Sequence, residues 1–229
     1  MLKFYMSGAP NPTKVALFLE EAGLPYEPVQ VDTRKGDQHK PEFLKINPNG
    51  KVPAIVDGDA VVFDSSAILL YLAEKTGKFL PPNTPANRGE LLSWMMFIGT
   101  GVGPFSGQAV HFQTYAPDKL PYAINRYVYE ANRHYSLINE RLATRKYLVG
   151  ETYTIADMNL WGWARAVPFV LGDKEVWAKF PNLKRLVDEI DARPAAQRAL
   201  ALKDKFTWKA EMDDEARKAM FRHMEPAKV

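Results

Sequence analysis

The sequence predicts an α/β domain followed by an all-helical domain, and three observations support this division. Up to about residue 80, short apolar runs alternate with segments of helical periodicity. The stretch Gly77–Gly89, rich in proline and asparagine, then interrupts regular structure. Beyond it, most segments have the apolar spacing of helices. We therefore expect domains at residues 1–80 and 88–229, joined by a linker at 81–87.

The first domain is expected to have the element order β-α-β-α-β-β-α, which is typical of a thioredoxin-like fold with a mixed four-stranded sheet. The strands are predicted at Leu2–Met6, Glu27–Val31, Val52–Val56 and Ala60–Phe63. Helices are predicted after Asn11-Pro12, over Pro41–Ile46 and over Ser66–Thr76. Asn11 is expected to cap the first helix and Ser65 the third, with Gly23 and Gly77 ending them.

The second domain reads as a helical bundle. The predicted helices are Arg88–Phe97, Tyr122–Ala143, Asn182–Asp191 and a short one opened by Pro194. Thr154-Ile155-Ala156-Asp157 has the pattern of a capping box, in which threonine and aspartate satisfy each other's backbone N–H groups. Residues 203–229 are rich in charge, and they either add a terminal helix or fray.

Composition excludes several functional classes. The chain has no cysteine, which excludes disulfides, thiolate metal sites and catalysis by a thiol of the protein. The four histidines are scattered, so we expect no metal site. The net charge is +3 without a basic stripe, which argues against a nucleic-acid partner. No apolar run is long enough for a membrane span or a signal peptide, so we expect a cytoplasmic protein without a membrane partner.

Val52-Pro53 follows the turn Asn47-Pro48-Asn49-Gly50 and opens a predicted strand. Proline cannot donate to a strand ladder, so its position there needs an explanation. One interpretation is an ordinary trans proline at a strand start. The other is a cis peptide bond that turns the backbone of Val52 outward to pair with a peptide ligand.

Asp64-Ser65 lies where the third predicted helix begins. Ser65 as a helix cap is the simple interpretation. A second one is a ligand site, because free N–H groups of Ser65 and Ser66 suit a carboxylate. Asp64 beside them would then pair with an amine, and the two together fit an amino-acid headgroup such as γ-glutamyl.

The start of the first helix, Ala9-Pro10-Asn11, suits a thiolate. The helix dipole would contribute about 0.3–2 kcal/mol and a hydrogen bond from the Asn11 amide about 1.5–3 kcal/mol. Lowering a thiol pKa by two units needs about 2.7 kcal/mol, so the two effects together suffice. The alternative is that Asn11 only caps the helix.

The order and spacing of these features resemble the cytosolic glutathione transferases over nearly the whole chain. In that family a cis Ile/Val-Pro pair holds the cysteinyl backbone of glutathione, and an acidic residue followed by serine holds the γ-glutamyl end. More narrowly, the chain resembles the Nu class, whose members bind glutathione or its disulfide and reduce disulfides and peroxides without a protein cysteine. This narrower resemblance rests on Pro10-Asn11, Lys35-Gly36, Pro41-Glu42-Phe43, Gly103-Pro104, Gly107-Gln108 and Pro121-Tyr122-Ala123.

Carried over by position, the resemblance implies Asn11 at the sulfur of glutathione. It implies that Val52 and Pro53 hold the cysteinyl backbone, and that Asp64 and Ser65 hold the γ-glutamyl end.

For the other end of the ligand, the resemblance implies Gln38 and Lys51 near the glycyl and backbone carboxylate side. Arg133, in the helical domain, would reach glutathione from the same or the partner subunit. The resemblance also implies a homodimer.

One position departs from the class, which usually has Thr-Pro-Asn at the first helix. Ala9 replaces the threonine and removes a hydroxyl, so the dependence on Asn11 is expected to grow. Ser7 and Thr13 are the candidate substitutes. Tyr5 is placed like the family's catalytic tyrosine, although a strand residue of this kind is more often part of the core.

The resemblance implies an enzyme with glutathione as bound co-substrate and its thiolate as nucleophile. The partner substrate is a disulfide or peroxide that is reduced, or a small electrophile that is conjugated, and the sequence leaves these reactions open. The alternative is a non-catalytic regulatory protein that binds glutathione or another ligand on the same fold.

Overall fold

The N-terminal part of the chain folds around a four-stranded mixed sheet with strand order β2-β1-β3-β4. In this computed structural model, which describes residues 1–224, the strands are β1 (Leu2–Met6), β2 (Tyr26–Gln30), β3 (Ala54–Asp57) and β4 (Ala60–Phe63). β1 runs parallel to β2 and antiparallel to β3, and β3 and β4 form an antiparallel hairpin. The predicted thioredoxin-like fold is confirmed.

Three helices accompany this sheet: α1 (Pro10–Ala22), α2 (Pro41–Leu44) and α3 (Ser65–Thr76). The predicted ends of α1 and α3 are confirmed, since Gly23 and Gly77 take left-handed conformations with φ of 65° and 68°. Glycine suits these positions because it has no Cβ to clash.

The predicted caps of α1 and α3 were wrong by one or two residues. Helix α1 begins at Pro10, and its N-cap is Ala9, which makes no side-chain capping bond. Proline fits the first helical position because the N–H it lacks would have no partner inside the helix. Asp64, not Ser65, caps α3. Strand β3 begins only at Ala54, because the residue before it is a proline.

The rest of the chain is helical. The helices are α4 (Pro85–Phe97), α5 (Gly103–Val110), α6 (Pro121–Ala143), α7 (Ile155–Ala164), α8 (Val167–Leu171), α9 (Pro181–Asp191), α10 (Pro194–Ala201) and α11 (Asp214–Met220). The sequence did not predict α5 or α8. Two π-helical turns, Ile98–Val102 and His111–Tyr115, join α5 to its neighbours. The predicted terminal segment contains α11, and residues 225–229 lie outside the described part.

Helices α7 and α10 form the main contacts between the two parts, because both pack on α1 in the first domain. The predicted capping box at its start is confirmed, with Thr154 and Asp157 bonded to each other's backbone. One hydrophobic cluster runs from β1 and α1 through α7 to α10. No helix between residues 1 and 224 is both long enough and apolar enough to cross a bilayer.

Candidate functional site

The open end of the β3–β4 hairpin brings two of the predicted ligand-binding pairs together. Ala54 at the start of β3 pairs with Phe63 at the end of β4. Val52-Pro53 precedes the first strand and Asp64 follows the second, so the two segments are neighbours. The Val52–Pro53 peptide bond is cis and not trans, as the second interpretation of this pair predicted. The pairing of the Val52 backbone with a peptide ligand stays a prediction.

Asp64 has an unusual backbone for a residue other than glycine, with φ 71° and ψ 125°. Its Oδ1 accepts hydrogen bonds from the N–H groups of Ser66 at 2.9 Å and Ala67 at 3.1 Å. The expectation of a free Ser66 N–H was therefore wrong, because Asp64 caps the helix through it. The Asp64 side chain is exposed and Ser65 is buried beside it.

At the start of α1, the side chain of Asn11 is held by a tryptophan from the helical domain. The indole Nε1–H of Trp163 donates to Asn11 Oδ1 at 3.0 Å. No hydrogen bond within residues 1–224 uses the Asn11 Nδ2 group. Since Asn11 is the second residue of α1, the interpretation of it as a helix cap was wrong. Its amide presents two N–H donors beside the positive end of the helix dipole.

One face of α7 makes this contact. Asn159, Gly162 and Trp163 are spaced three and four residues apart, so they lie on the same side of the helix. A Cβ on Gly162 would lie 2.5 Å from the carbonyl oxygen of Pro10 and 2.7 Å from Cγ of Lys14. The absence of a side chain at Gly162 thus allows α7 to approach the start of α1 closely.

Lys14 is buried at this same contact, with 1% of its surface exposed. Its Nζ donates to Asn159 Oδ1 at 2.9 Å and to Ser65 Oγ at 3.4 Å. Burial lowers the pKa of Lys14 to about 7, an effect that the negative charge of Asp64 opposes. A chain of contacts therefore joins the Asp64-Ser65 corner to α7, which also holds Asn11.

Gln38 and Lys51 both lie beside the turn that precedes Val52. A Cβ on Gly50, next to Lys51, would lie 3.2 Å from the carbonyl oxygen of Gln38. Gln38 is buried, and its Nε2 donates to the backbone carbonyl of Ala219 at 2.9 Å. Its Oε1 has no hydrogen-bond partner among the described residues. Lys51 is exposed, and together with His39 it lines a pocket whose other walls are α5 and the end of the chain.

The segment 207–224, which we call the C-terminal segment, packs on this part of the first domain, where the Ala219 carbonyl contacts Gln38 and His39. Lys209 N–H donates to Asp32 Oδ2 at 2.8 Å, and Arg34 Nη1 donates to the Lys209 carbonyl at 3.0 Å. On the helical side, the ring of Phe221 lies 4.8 Å from that of His111. The segment therefore bridges the two domains.

Arg133 lies on α6, outside this group of residues. Its Nε and Nη2 donate to Glu130 Oε2 at 3.0 and 2.8 Å. The helices against which α6 packs most closely, α5, α8 and α9, all belong to the helical domain. Within one chain, the structure does not group Arg133 with the other predicted site residues.

The three fallback residues have different surroundings. Thr13 Oγ1 donates to the Ala9 carbonyl at 2.9 Å, so its hydroxyl hydrogen is already used. Ser7 is buried, and its Oγ accepts from Ala9 N–H at 3.4 Å. Tyr5 packs on Phe43 with ring centroids 5.8 Å apart. In the described part of the chain, no group of three or more His, Asp or Glu residues is placed to hold a metal ion.

Comparison with known protein families identifies the family to which the chain belongs. Residues 1–74 match the model of the glutathione S-transferase N-terminal domain, and residues 122–194 match that of the C-terminal domain. The chain belongs to the glutathione S-transferase family.

Relatives of this glutathione transferase include the disulfide-bond oxidoreductase YfcG of Escherichia coli (strain K12). The two are 43% identical over 222 residues, which is 94% of this chain and 98% of YfcG. A glutathione transferase from Burkholderia graminis, solved with two glutathione molecules per subunit, superposes with a TM-score of 0.81 at 37% identity, covering 87% of each chain. The transferase URE2P8 from Phanerochaete chrysosporium, solved with oxidized glutathione, gives 0.83 at 34% identity, covering 89% of this chain and 95% of that one.

Sequence reasoning missed two residues of this glutathione transferase, Trp163 and Lys14. A signal existed for the first, because a glycine inside a helix often marks a close approach, and Trp163 directly follows Gly162. Lys14 follows Asn11 by three residues and so lies on the same side of α1, next to the apolar Val15 and Phe18. A lysine on a face of that kind indicates a buried amine with a specific partner.

Proposed function

We propose that this chain binds glutathione, or its disulfide, in the cleft between the two domains and uses the glutathione thiolate to reduce disulfide bonds. The domain division of the proposal is residues 1–80 for glutathione and 88–229 for the second substrate, with 81–87 between them. The kinship with YfcG, named a disulfide-bond oxidoreductase, supports the choice of reaction. The glutathione bound in related solved structures supports the choice of ligand.

The sulfur is assigned to the start of α1, with Asn11 Nδ2 as the donor that stabilises the thiolate. The hydrogen bond from Trp163 to Asn11 Oδ1 is the observation that carries this assignment. Indole nitrogen is a donor only, so the acceptor must be the amide oxygen, and the amide nitrogen remains for the ligand. A charge-assisted hydrogen bond of this kind contributes about 1.5–3 kcal/mol.

The cysteinyl backbone and the γ-glutamyl part of glutathione are assigned to the open end of the β3–β4 hairpin. Val52, next to Pro53, pairs with the cysteinyl backbone. Asp64 takes the γ-glutamyl amine and Ser65 its carboxylate. This corner suits an amino-acid headgroup because an exposed carboxylate lies next to a buried hydroxyl.

At the glycyl end, Gln38 and Lys51 supply an amide and a cation. The buried Gln38 Oε1, without a partner in the described part of the chain, suits an N–H donor of the ligand. The Gln38 amide is at present bonded to Ala219, so this end of the ligand must exchange with the C-terminal segment.

The reaction proceeds by two thiol–disulfide exchanges. The bound thiolate attacks one sulfur of the substrate disulfide, forming a mixed disulfide and releasing a substrate thiolate that takes up a proton. A second glutathione thiolate then attacks the glutathione sulfur of the mixed disulfide. The products are glutathione disulfide and two substrate thiols, so two electrons pass from two glutathione molecules to the substrate.

The test is turnover with bis(2-hydroxyethyl) disulfide, following glutathione disulfide formation in wild type and Asn11→Ala. We expect glutathione-dependent turnover in wild type that is at least about tenfold faster than in the variant. Parallel assays with an organic hydroperoxide and an aryl halide separate peroxide reduction and conjugation from disulfide reduction. Glutathione binding without turnover of any of the three would instead identify a regulatory binding protein.

We further propose a homodimer, in a cytoplasmic location. Val61 and Phe63 on the edge strand β4 are 50% and 42% exposed, and Met96 on α4 is 49% exposed. Apolar side chains of this size at an edge strand favour coverage by a second copy. Arg133 then serves glutathione from the same or the partner subunit. Light scattering at micromolar concentration that gave a monomer mass would contradict the dimer.

A further inference from the structure

The buried amine of Lys14 has no part in the activity proposed above, yet it lies behind the residue assigned to the γ-glutamyl carboxylate. We propose that Lys14 is a positioning and specificity-determining residue of the γ-glutamyl site, orienting the Ser65 hydroxyl and supplying the positive charge that the ligand carboxylate requires. This inference rests on the proposed function, because it takes Ser65 to be a ligand contact.

Hydrogen-bond direction gives the first argument. Lys14 is buried, and the ammonium form of its side chain can donate hydrogen bonds but cannot accept them. Ser65 Oγ is one acceptor, at 3.4 Å, and Asn159 Oδ1 is the other, at 2.9 Å. Because the lone pair of Ser65 faces Lys14, its hydroxyl hydrogen points elsewhere. No acceptor among residues 1–224 takes that hydrogen, which is therefore available to an oxygen of the ligand.

The charges around Lys14 give the second argument. Asp64 is the charged group whose field reaches it, and the other polar groups facing it from α3 and α7 are the neutral Ser65 and Asn159. The acidic residues at the far end of α1, Glu20 and Glu21, are already paired with arginines of the helical domain.

Asp64 must serve the ligand amine in this assignment, so the Lys14 charge is left without a dedicated counterion. A carboxylate bound at Ser65 would supply one. The ammonium form should then be favoured in the complex, and ligand binding should draw a proton from solution.

The third argument is that the amine cannot move away to another partner. Gly162 brings α7 so close that a Cβ there would lie 2.7 Å from Lys14 Cγ. Asn159 Nδ2 in turn donates to the backbone carbonyl of Met95 at 3.3 Å, and because a carbonyl oxygen can only accept, this bond fixes the orientation of the amide that holds Lys14. The ammonium group is thus preorganised beside Ser65 rather than recruited by the ligand.

The experiment compares two ligands without a thiol, so that sulfur titration plays no part. The first is S-methylglutathione. The second is the same peptide with γ-aminobutyryl in place of γ-glutamyl, which lacks only the carboxylate assigned to Ser65. Dissociation constants are measured by calorimetry for wild type, Lys14→Met and the control Lys51→Met, which removes an exposed cation assigned to the glycyl end.

We expect Lys14→Met to weaken binding of S-methylglutathione about 10- to 100-fold and binding of the γ-aminobutyryl peptide less than about threefold. Lys51→Met should weaken both ligands by similar factors. A purely structural role for Lys14 would also lower both affinities equally, and that outcome overturns the proposal.

A second measurement needs no variant. In wild type at pH 7.5, calorimetry in buffers of different ionisation enthalpy should show uptake of roughly half a proton with S-methylglutathione and much less with the γ-aminobutyryl peptide. Equal uptake with both ligands overturns the proposal even if Lys14→Met fails to fold. If wild type binds neither ligand, the proposed function itself fails and this inference falls with it. If wild type binds both ligands with equal affinity, the inference fails together with the assignment of the carboxylate to Ser65, whereas glutathione binding itself stands.

Discussion

The amide of Asn11 can present either its oxygen or its nitrogen to a ligand, and the indole of Trp163 determines which. Because the oxygen accepts the indole N–H at 3.0 Å, the nitrogen faces the position proposed for the sulfur. The threonine hydroxyl usual in the class is absent at Ala9. Thiolate stabilisation in this chain should therefore depend more strongly on a single side chain.

Replacing Asn11 with alanine should raise the pKa of bound glutathione by roughly one to two units, since it removes a charge-assisted hydrogen bond. The helix dipole remains, so some activity should persist. The measurement is a pH titration of thiolate absorbance in the bound state. Trp163→Phe, which leaves Asn11 in place but frees its amide to rotate, should give a smaller rise. Coincident curves for wild type and Asn11→Ala would exclude Asn11 and direct attention to Ser7.

The buried amine of Lys14 should also affect stability as a function of pH. Burial lowers its pKa to about 7 in the folded protein, against 10.5 in the unfolded chain. Between these values the unfolded chain binds more protons, so raising the pH stabilises the fold. The contribution of Lys14 to the unfolding free energy is therefore at its maximum above pH 10.5, decreases as the pH falls, and is lost once the pH has fallen through 7.

We therefore expect the unfolding free energy of wild type, relative to Lys14→Met, to rise by up to about 1.4 kcal/mol per pH unit above pH 7. Urea denaturation at pH 6.5, 7.5 and 8.5 measures this difference. Lys45→Met, at an exposed lysine, is the control. Parallel profiles for wild type and Lys14→Met would show that the amine is not perturbed by burial.

At the scale of elements, the contact between α1 and α7 is the one on which the site depends. Gly162 allows the approach, and Asn159 and Trp163 on either side of it hold Lys14 and Asn11. A methyl group at Gly162 would meet a backbone carbonyl at 2.5 Å, which cannot rotate away.

Gly162→Ala should therefore lower the unfolding free energy by about 1–3 kcal/mol, as overpacking typically does, and reduce turnover with it. Gly89→Ala is the matched control, because Gly89 is also inside a helix but has nothing within 4 Å of the added carbon. That variant should be neutral or stabilised by up to about 1 kcal/mol. Equal effects of the two substitutions would contradict the close-approach argument.

The sequence predicted elements whose causes are local. The capping box at Thr154 needs only Asp157, three residues away, and the helix ends at Gly23 and Gly77 depend on one residue each. The two wrong caps also have local reasons. Pro10 accepts the first helical position ahead of Asn11, and the Asp64 carboxylate reaches the N–H groups that Ser65 was expected to satisfy.

Contacts between residues far apart in sequence could not be predicted in this way. The hydrogen bond from Trp163 to Asn11 and the one from Gln38 to Ala219 each join residues more than 150 positions apart. Such pairs follow from how the two domains pack, and no local pattern encodes them. The family resemblance supplied the residue types of the site, but not Lys14 or Trp163.

At the scale of the whole molecule, the C-terminal segment connects both domains outside the core. It contacts Gln38 and His39 through the carbonyl of Ala219, at 2.9 and 3.1 Å. Gln38 is also proposed to contact the glycyl part of glutathione. The segment and the ligand should therefore compete.

Ending the chain at Asp213 removes α11 and the residues after it. This truncation should strengthen glutathione binding by about 5- to 100-fold, because the ligand no longer has to displace the two hydrogen bonds to the Ala219 carbonyl. Stopped-flow tryptophan fluorescence gives the association and dissociation rates. In a Gln38→Ala background the gain should shrink, because one of the two contacts is already lost. Weaker binding after truncation would instead make the segment a wall of the ligand site.

The carbonyl of Ala219 also bears on how measured affinities are to be interpreted. If only a fraction of molecules has this carbonyl detached at any moment, the observed dissociation constant equals the intrinsic one divided by that fraction. Temperature, salt or a fused peptide at the chain end would then alter the apparent affinity without touching any residue that contacts glutathione. Two preparations with the same glutathione-contacting residues would then have different apparent dissociation constants, solely because α11 is detached in a different fraction of molecules.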